Sequence, residues 1–223
     1  MIGDLRRWAR THTETGRYSP VGIAFHWVMA ALVMFQLGWG YYTSWLPAGG
    51  AKLYAYQIHS AVGLPILLLA IGRFFWRLMI PGPENDADRQ GWQTQVAYAM
   101  HYVFYIAFFG LPLSGWAMWS SIAEPGPLYL GGLVPWPQLP FHQLPLTLRW
   151  QILDWAEDIH HILVITLMVV IPLHVGAALK HHFWDRHDVL RGMLPEIPDA
   201  ESAQASQTHT PREPRIPPER APG

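Results

Sequence analysis

Histidine is the residue type whose number and placement in this sequence could do chemistry. There are twelve, and His26, His59, His101, His160, His161 and His174 fall inside long apolar stretches. An ionisable side chain in such a stretch is costly to bury and points to function. A single one is as well explained by a hydrogen bond to a neighbouring helix; six at selected positions are not. His160 and His174 are fourteen residues apart, nearly four whole helical turns, so they share one face with Cα atoms about 21 Å apart. His161 points away by about a third of a turn more. Cysteine is absent, which excludes disulfides, thiolate metal sites, cysteine nucleophiles and attachment of a macrocycle through C-x-x-C-H. Neutral imidazoles then suit three kinds of site. These are a zinc or copper centre with three or four ligands at one depth, a proton relay, and pairs gripping a flat iron macrocycle from both faces.

The elements that must position these residues follow from hydropathy. Hydrophobic residues make up 51% of the 223 residues and charged ones only 14%, with mean hydropathy +0.10 because polar ends dilute the apolar segments. A net charge of −1 gives nucleic acid no footing. Four runs lack Asp, Glu, Lys and Arg: Val21–Tyr42, Tyr54–Gly72, Val96–Ile122 and Ile159–Leu179. A bilayer core takes about 20 apolar residues of helix, and backbone groups in lipid must be paired internally, so each run predicts a spanning helix. Pro65, Pro112 and Pro172 predict kinks within a bundle. The first run is longer than the apolar part of a cleavable signal and is expected to remain as a span.

Four spans put both termini on one side. That side carries Arg6, Arg7, Arg10, Arg17, Arg73, Arg77, Arg89, Lys180, Arg186 and Arg191, whereas the opposite loops carry only Lys52 and Arg149. The bias predicts cytoplasmic termini. The loop Ala123–Glu157, rich in proline, glycine and tryptophan, then faces the other compartment as a cap, with a short surface helix expected near Leu148–Ala156. Residues 1–17 read as a cytoplasmic N-terminal segment and 18–195 as the spanning domain. The proline-rich stretch 196–223 buries too little to order itself and reads as a disordered cytoplasmic tail. The expected class is an all-α membrane protein, a four-transmembrane-helix bundle.

Topology pairs the histidines by depth. His26 near the start of the first span meets the level of His174 near the end of the fourth; His59 early in the second meets His160 early in the fourth. Two layers of two favour two macrocycles over one metal cluster, and the runs offer no acids for a proton relay. Such sites are built between facing helices of a bundle. Gly22, Ala30, Gly63, Gly176, Ala177 and Ala178 could leave room for a flat ring, although small residues equally serve close helix contact. Trp27, Trp39, Trp76, Trp116, Trp119 and Trp184 read mostly as interfacial belt residues. His181, His182 and His187 are expected at the interface.

The pattern resembles the prokaryotic cytochrome b561 family. The resemblance rests on RYSPVGIAFHWVMAAL in the first span and on Ile58-His59-Ser60, Gly63, Arg73 and Arg77 in the second. The third span carries His101-Tyr102, Tyr105, Gly110-Leu111-Pro112 and Gly115. The fourth carries His160, Leu173-His174 and His181-His182-Phe183. It covers roughly residues 17–195, with the fourteen-residue histidine spacing its most specific feature. The long tail and extra N-terminal residues depart from it.

The resemblance implies two non-covalent haems b, axial ligands His26, His59, His160 and His174, and an electron-transfer oxidoreductase of the bacterial inner membrane. Membrane quinone, such as ubiquinone, is the implied substrate, and superoxide is one donor described for the family. Arg17, Arg73 and Arg77 could hold propionates by charge-assisted hydrogen bonds, or act as positive-side anchors. His101 could border a quinone or proton path, or make a polar contact between helices. Two other functions fit the pattern. A cytochrome b anchor subunit for a soluble dehydrogenase or hydrogenase would co-purify with its redox partner protein. A haem-free scaffold or transporter would show no haem absorption band.

Overall fold

The computed structural model describes residues 3–4, 7–8, 17–80, 91–122, 126–185 and 190–194. Arg6, Arg10, Arg89, Arg186, His187 and the expected tail 196–223 lie outside them. Four helices are long and apolar enough to cross a membrane. Helix α1 is Pro20–Trp45, α2 Gly50–Met79, α3 Trp92–Ser121 and α4 Leu146–Phe183. The chain is therefore an all-α membrane protein, as its apolar runs require. Chain contacts separate Met1–Met193 from Leu194–Gly223, and Leu194 alone is described in the second part.

Local chemistry sets the helix ends. Ser19 caps α1, its Oγ accepting from Gly22 N–H at 3.3 Å, and Pro20 occupies the first turn, where a missing N–H costs nothing. At the far end of α3 the Arg149 guanidinium donates to the carbonyls of Ser121, at 3.3 Å, and Ile122. A cation on carbonyls that lack helical partners is favourable both as a hydrogen bond and against the helix dipole. Pro65, Pro112 and Pro172 lie inside α2, α3 and α4 without ending them.

The spans exceed their apolar runs. Helix α4 has 38 residues, about 57 Å at 1.5 Å per residue and far more than the bilayer core. The surface helix expected near Leu148–Ala156 is not separate; it forms the first turns of α4. Arg149, Asp154, Glu157 and Asp158 interrupt hydropathy there, but none breaks a helix.

The buried core is a layer at mid-height: Met29 and Val33 of α1, Ile66 and Ala70 of α2, Ala107 of α3 and Leu167 of α4. Leu167 is seven residues from both His160 and His174, so this layer separates the two histidine levels. Close helix packing joins α1 to α2, α2 to α3 and α3 to α4. Helix α4 makes no comparably close approach to α1 or α2.

Between α3 and α4 the chain forms a small antiparallel hairpin, β1 Leu128–Leu130 and β2 Val134–Trp136, with Leu128 opposite Trp136 and Leu130 opposite Val134. Gly131 and Gly132 have φ of 60° and 75°, and Leu133 N–H bonds Leu130 C=O at 3.2 Å. Two successive positive φ values make a type I′ turn, which glycine adopts without strain. A 3₁₀ turn, Pro140–Gln143, leads on to α4.

Candidate functional site: two imidazole pairs

The two pairs expected from depth are brought together. The ring centres of His26 and His174 are 6.3 Å apart and those of His59 and His160 are 6.2 Å apart. An imidazole nitrogen sits about 2 Å from a bound transition metal, and the ring centre lies about 1 Å further back. Two imidazoles on opposite sides of one ion thus have centres about 6 Å apart. Both separations meet that requirement. The helices that supply each pair, α1 with α4 and α2 with α4, are not close backbone neighbours, which leaves width for a macrocycle between the rings. Among the described residues no group of three or more His, Cys, Asp or Glu side chains could hold a metal ion. The donor set, two neutral nitrogen ligands per level and no thiolate, suits haem iron.

The His59–His160 level is built in most detail. The Ser114 hydroxyl lies 2.7 Å from Gly110 C=O, 3.0 Å from Leu111 C=O and 3.0 Å from His160 Nδ1. Its single hydrogen is directed to a helix carbonyl, so its oxygen accepts from His160 Nδ1–H. That fixes the tautomer and leaves the Nε2 lone pair for a ligand. Glycines seat both rings: a Cβ on Gly40 would lie 3.1 Å from His59 Cε1, and one on Gly115 would lie 3.6 Å from His160 Cε1. His59 Nδ1 is buried with no hydrogen-bond partner among the described residues. Gln36 Nε2 donates to His59 C=O at 2.7 Å, tying α1 to the start of this level. His161, adjacent to His160, is exposed and takes no part in the ring contact.

At the other level His174 also meets Phe104, with ring centres 5.2 Å apart, and His101, at 6.5 Å. His101 is exposed and its Nδ1–H donates to Ala97 C=O at 2.6 Å. It faces His174 from α3, which packs closely against α4 and leaves less width between them. Arg73, half-buried on α2, lies fourteen residues after His59, nearly four turns towards the other level. Arg77 lies 5.6 Å from the Tyr18 ring centre, and Arg17 precedes Tyr18 in the half-buried segment entering α1.

Some expectations about small and aromatic residues are refined. Gly63 admits Gln36, whose Nε2 would be 2.9 Å from a Cβ there, and Gly22 admits Ser19 Oγ at 3.2 Å. Neither opens onto a ring pair, whereas Gly176 has nothing within 4 Å of its Cβ position. The tryptophans are more than belt residues. Trp27, Trp39, Trp76, Trp116 and Trp119 each donate an indole N–H, to Met193 C=O, Ala55 C=O, Ser19 Oγ, Pro137 C=O and Gly126 C=O respectively. Trp184 is exposed. Sequence reasoning missed Ser114 and Gly40. The available signal was a serine beside Gly115 in an uncharged run.

Beyond α4, Asp185 accepts from Lys180 Nζ at 2.8 Å and from His181 Nδ1 at 2.7 Å. The Lys180 ammonium first, and His181 after it, hold the Asp185 carboxyl below the usual carboxylate range. His182 Nδ1 is buried and has no partner among the described residues.

The fold is that of a multi-span helical membrane protein, and its two imidazole pairs fit the donor set of a b-type cytochrome. Its sequence matches the model of the prokaryotic cytochrome b561 family over residues 17–196, and the chain belongs to that family. It is similar to cytochrome b561 homolog 2 of Escherichia coli K12, with 30% identity over 187 residues, 80% of this chain and 91% of that protein. Cytochrome b561 homolog 1 of the same organism is 27% identical over 181 residues, covering 80% of this chain and 97% of the relative. A probable superoxide oxidase, CybB, of Yersinia pestis is 27% identical over 185 residues, covering 81% and 97%. Family membership makes the chain a membrane b-type cytochrome of electron transfer.

Proposed function

We propose that the chain holds two haems b, one between His26 and His174 and one between His59 and His160, and passes electrons between them to or from membrane quinone. The observation that carries this reading is the pair of ring separations, 6.3 and 6.2 Å, between helices whose backbones approach less closely than those of neighbours in the bundle. Each haem, held by His26 and His174 or by His59 and His160, would supply an iron able to take up and return one electron. The protein's part is to orient the rings, exclude water and set charge nearby. Ser114 holds the His160 tautomer, and Gly40 and Gly115 seat the ligands. Arg73, together with Arg17 and Arg77, supplies positive charge at the His26 level, where propionates or a quinone would bind. His101 borders that level.

With superoxide as donor the balance closes. Two superoxide anions lose one electron each and become dioxygen, while ubiquinone takes two electrons and two protons to become the quinol. The relative called a probable superoxide oxidase supports that donor. The excess of Lys and Arg on one flank supports cytoplasmic ends for the bundle, in the bacterial inner membrane, with residues 18–195 as the haem-binding domain.

The test is the haem-to-protein ratio and reduced-minus-oxidised spectrum of the purified chain and its variants. Two haems per chain are expected. His26→Ala or His174→Ala should remove one, His59→Ala or His160→Ala the other, and His161→Ala neither. Two haems retained in all four ligand variants would refute the assignment.

A further inference from the structure

The hairpin between α3 and α4 is attached to α2 at an unusual place. Gly131 N–H donates to Ala61 C=O at 2.9 Å. In a continuous helix that carbonyl would accept from the residue four positions on, which here is Pro65, a residue with no N–H. The carbonyl freed by the proline is thus met by the turn of the hairpin. The strand before the turn runs inward along α2: Gly126 lies beside the Gln57 side chain, 3.8 Å from its Cβ position, and Gly131 reaches Ala61. Four residues of α2 correspond to about 6 Å of descent.

Depth follows from the neighbours. Ala61 is two residues further into the span than His59, whose ring meets His160, while Asp158, the last acid of α4, is two residues outward of His160. The turn therefore lies about 6 Å inward of that carboxylate. It lies about 10 Å inward of Tyr54, which with Tyr41, Tyr42 and Trp45 forms an exposed aromatic girdle at this end of the bundle. At that depth the hairpin presents apolar side chains outward: Leu133 is 85% exposed and Val134 56%.

We propose that this hairpin is a membrane-inserted element, with Leu133 and Val134 seated among lipid chains at the headgroup–acyl boundary and the turn fastened to α2 through Pro65. Non-helical backbone at membrane depth is tolerated where protein covers it, and here β1 lies along α2. The strands pair with each other, Ala61 takes the Gly131 N–H, and Pro135 brings no donor of its own. Further bonds fix the loop on its other side: Trp119 Nε1 and Gln138 Nε2 both donate to Gly126 C=O, and Leu139 N–H to Ser120 Oγ. The hairpin gives the bundle a rigid apolar wall towards lipid beside the His59–His160 level. Its insertion is independent of whether haem is bound there.

The chain has no cysteine, so Leu133→Cys and Ala48→Cys in the full-length protein each carry one spin label. Ala48 lies in the exposed loop between α1 and α2. In vesicles of phosphatidylethanolamine and phosphatidylglycerol, collision of the label with a nickel chelate and with oxygen is read separately. A polar solute entering apolar surroundings loses at least about 1–3 kcal/mol, so the label at 133 should collide with the chelate on the order of tenfold less than the label at 48, and with oxygen more. Equal chelate access at the two sites would overturn the proposal, as would shielding of 133 from both reagents, which indicates a protein contact. Adding Pro65→Ala restores the helical N–H and should raise chelate access at 133; unchanged protection would overturn the role of Pro65.

Discussion

Removing the Ser114 hydroxyl should raise the midpoint potential of the haem proposed between His59 and His160 and leave that of the other proposed haem where it was. Ser114→Ala deletes the acceptor 3.0 Å from His160 Nδ1. Such a bond is worth about 1 kcal/mol net. It gains strength when iron is oxidised, because the bound imidazole becomes more acidic and its N–H a better donor. If the whole of it is lost from the oxidised state alone, the potential rises by up to about 40 mV, since a tenfold change in a one-electron equilibrium is about 59 mV. Loss of an outer partner of this kind also weakens metal binding by about 10–100-fold. The assay is a spectroelectrochemical titration of purified protein, with haem content measured in parallel. One wave should move upward and one should stay. Two waves moving together, or none moving at full haem occupancy, would refute the reasoning that Ser114 acts on one ligand.

Two further outcomes follow from packing and charge. Gly110→Ala places a Cβ 2.5 Å from Leu163 Cδ1, so it should destabilise the α3–α4 contact by about 1–3 kcal/mol; adding Leu163→Ala should recover part of the loss in thermal unfolding in detergent. Asp185 has a depressed carboxyl pKa, so its contribution to holding the end of α4 is complete above the ordinary carboxylate value and fades as pH falls through the lower folded value. Asp185→Asn should raise amide exchange at His181–Trp184 at neutral pH, and the difference from the parent should vanish in strong acid.

The four spans and both histidine pairs were legible because each rests on one-dimensional information. Uncharged length marks a span, and alternating direction assigns a depth. His160 over His161 also followed from helical phase. Details that depend on which faces meet were not legible. Ser114 matters only because α3 turns it towards His160, and nothing in the third run alone says so. The reach of α4 was hidden by Arg149, Asp154, Glu157 and Asp158, which end an apolar run without ending a helix. The bond between Gly131 and Ala61 joins residues seventy positions apart. A proline at 65 signalled a free carbonyl without naming what would meet it.

The apolar layer of Met29, Val33, Ile66, Ala70, Ala107 and Leu167 has an electrical consequence. It holds no ionisable group, so an electron exchanged between the proposed haems crosses it unaccompanied by a proton. The step covers about 21 Å of a core about 30 Å thick, roughly two-thirds of the voltage drop. At about 2.3 kcal/mol per charge for each 100 mV, that is roughly 1.6 kcal/mol. The resting voltage of the cell thereby weighs directly on the exchange, favouring one direction of current and opposing the other.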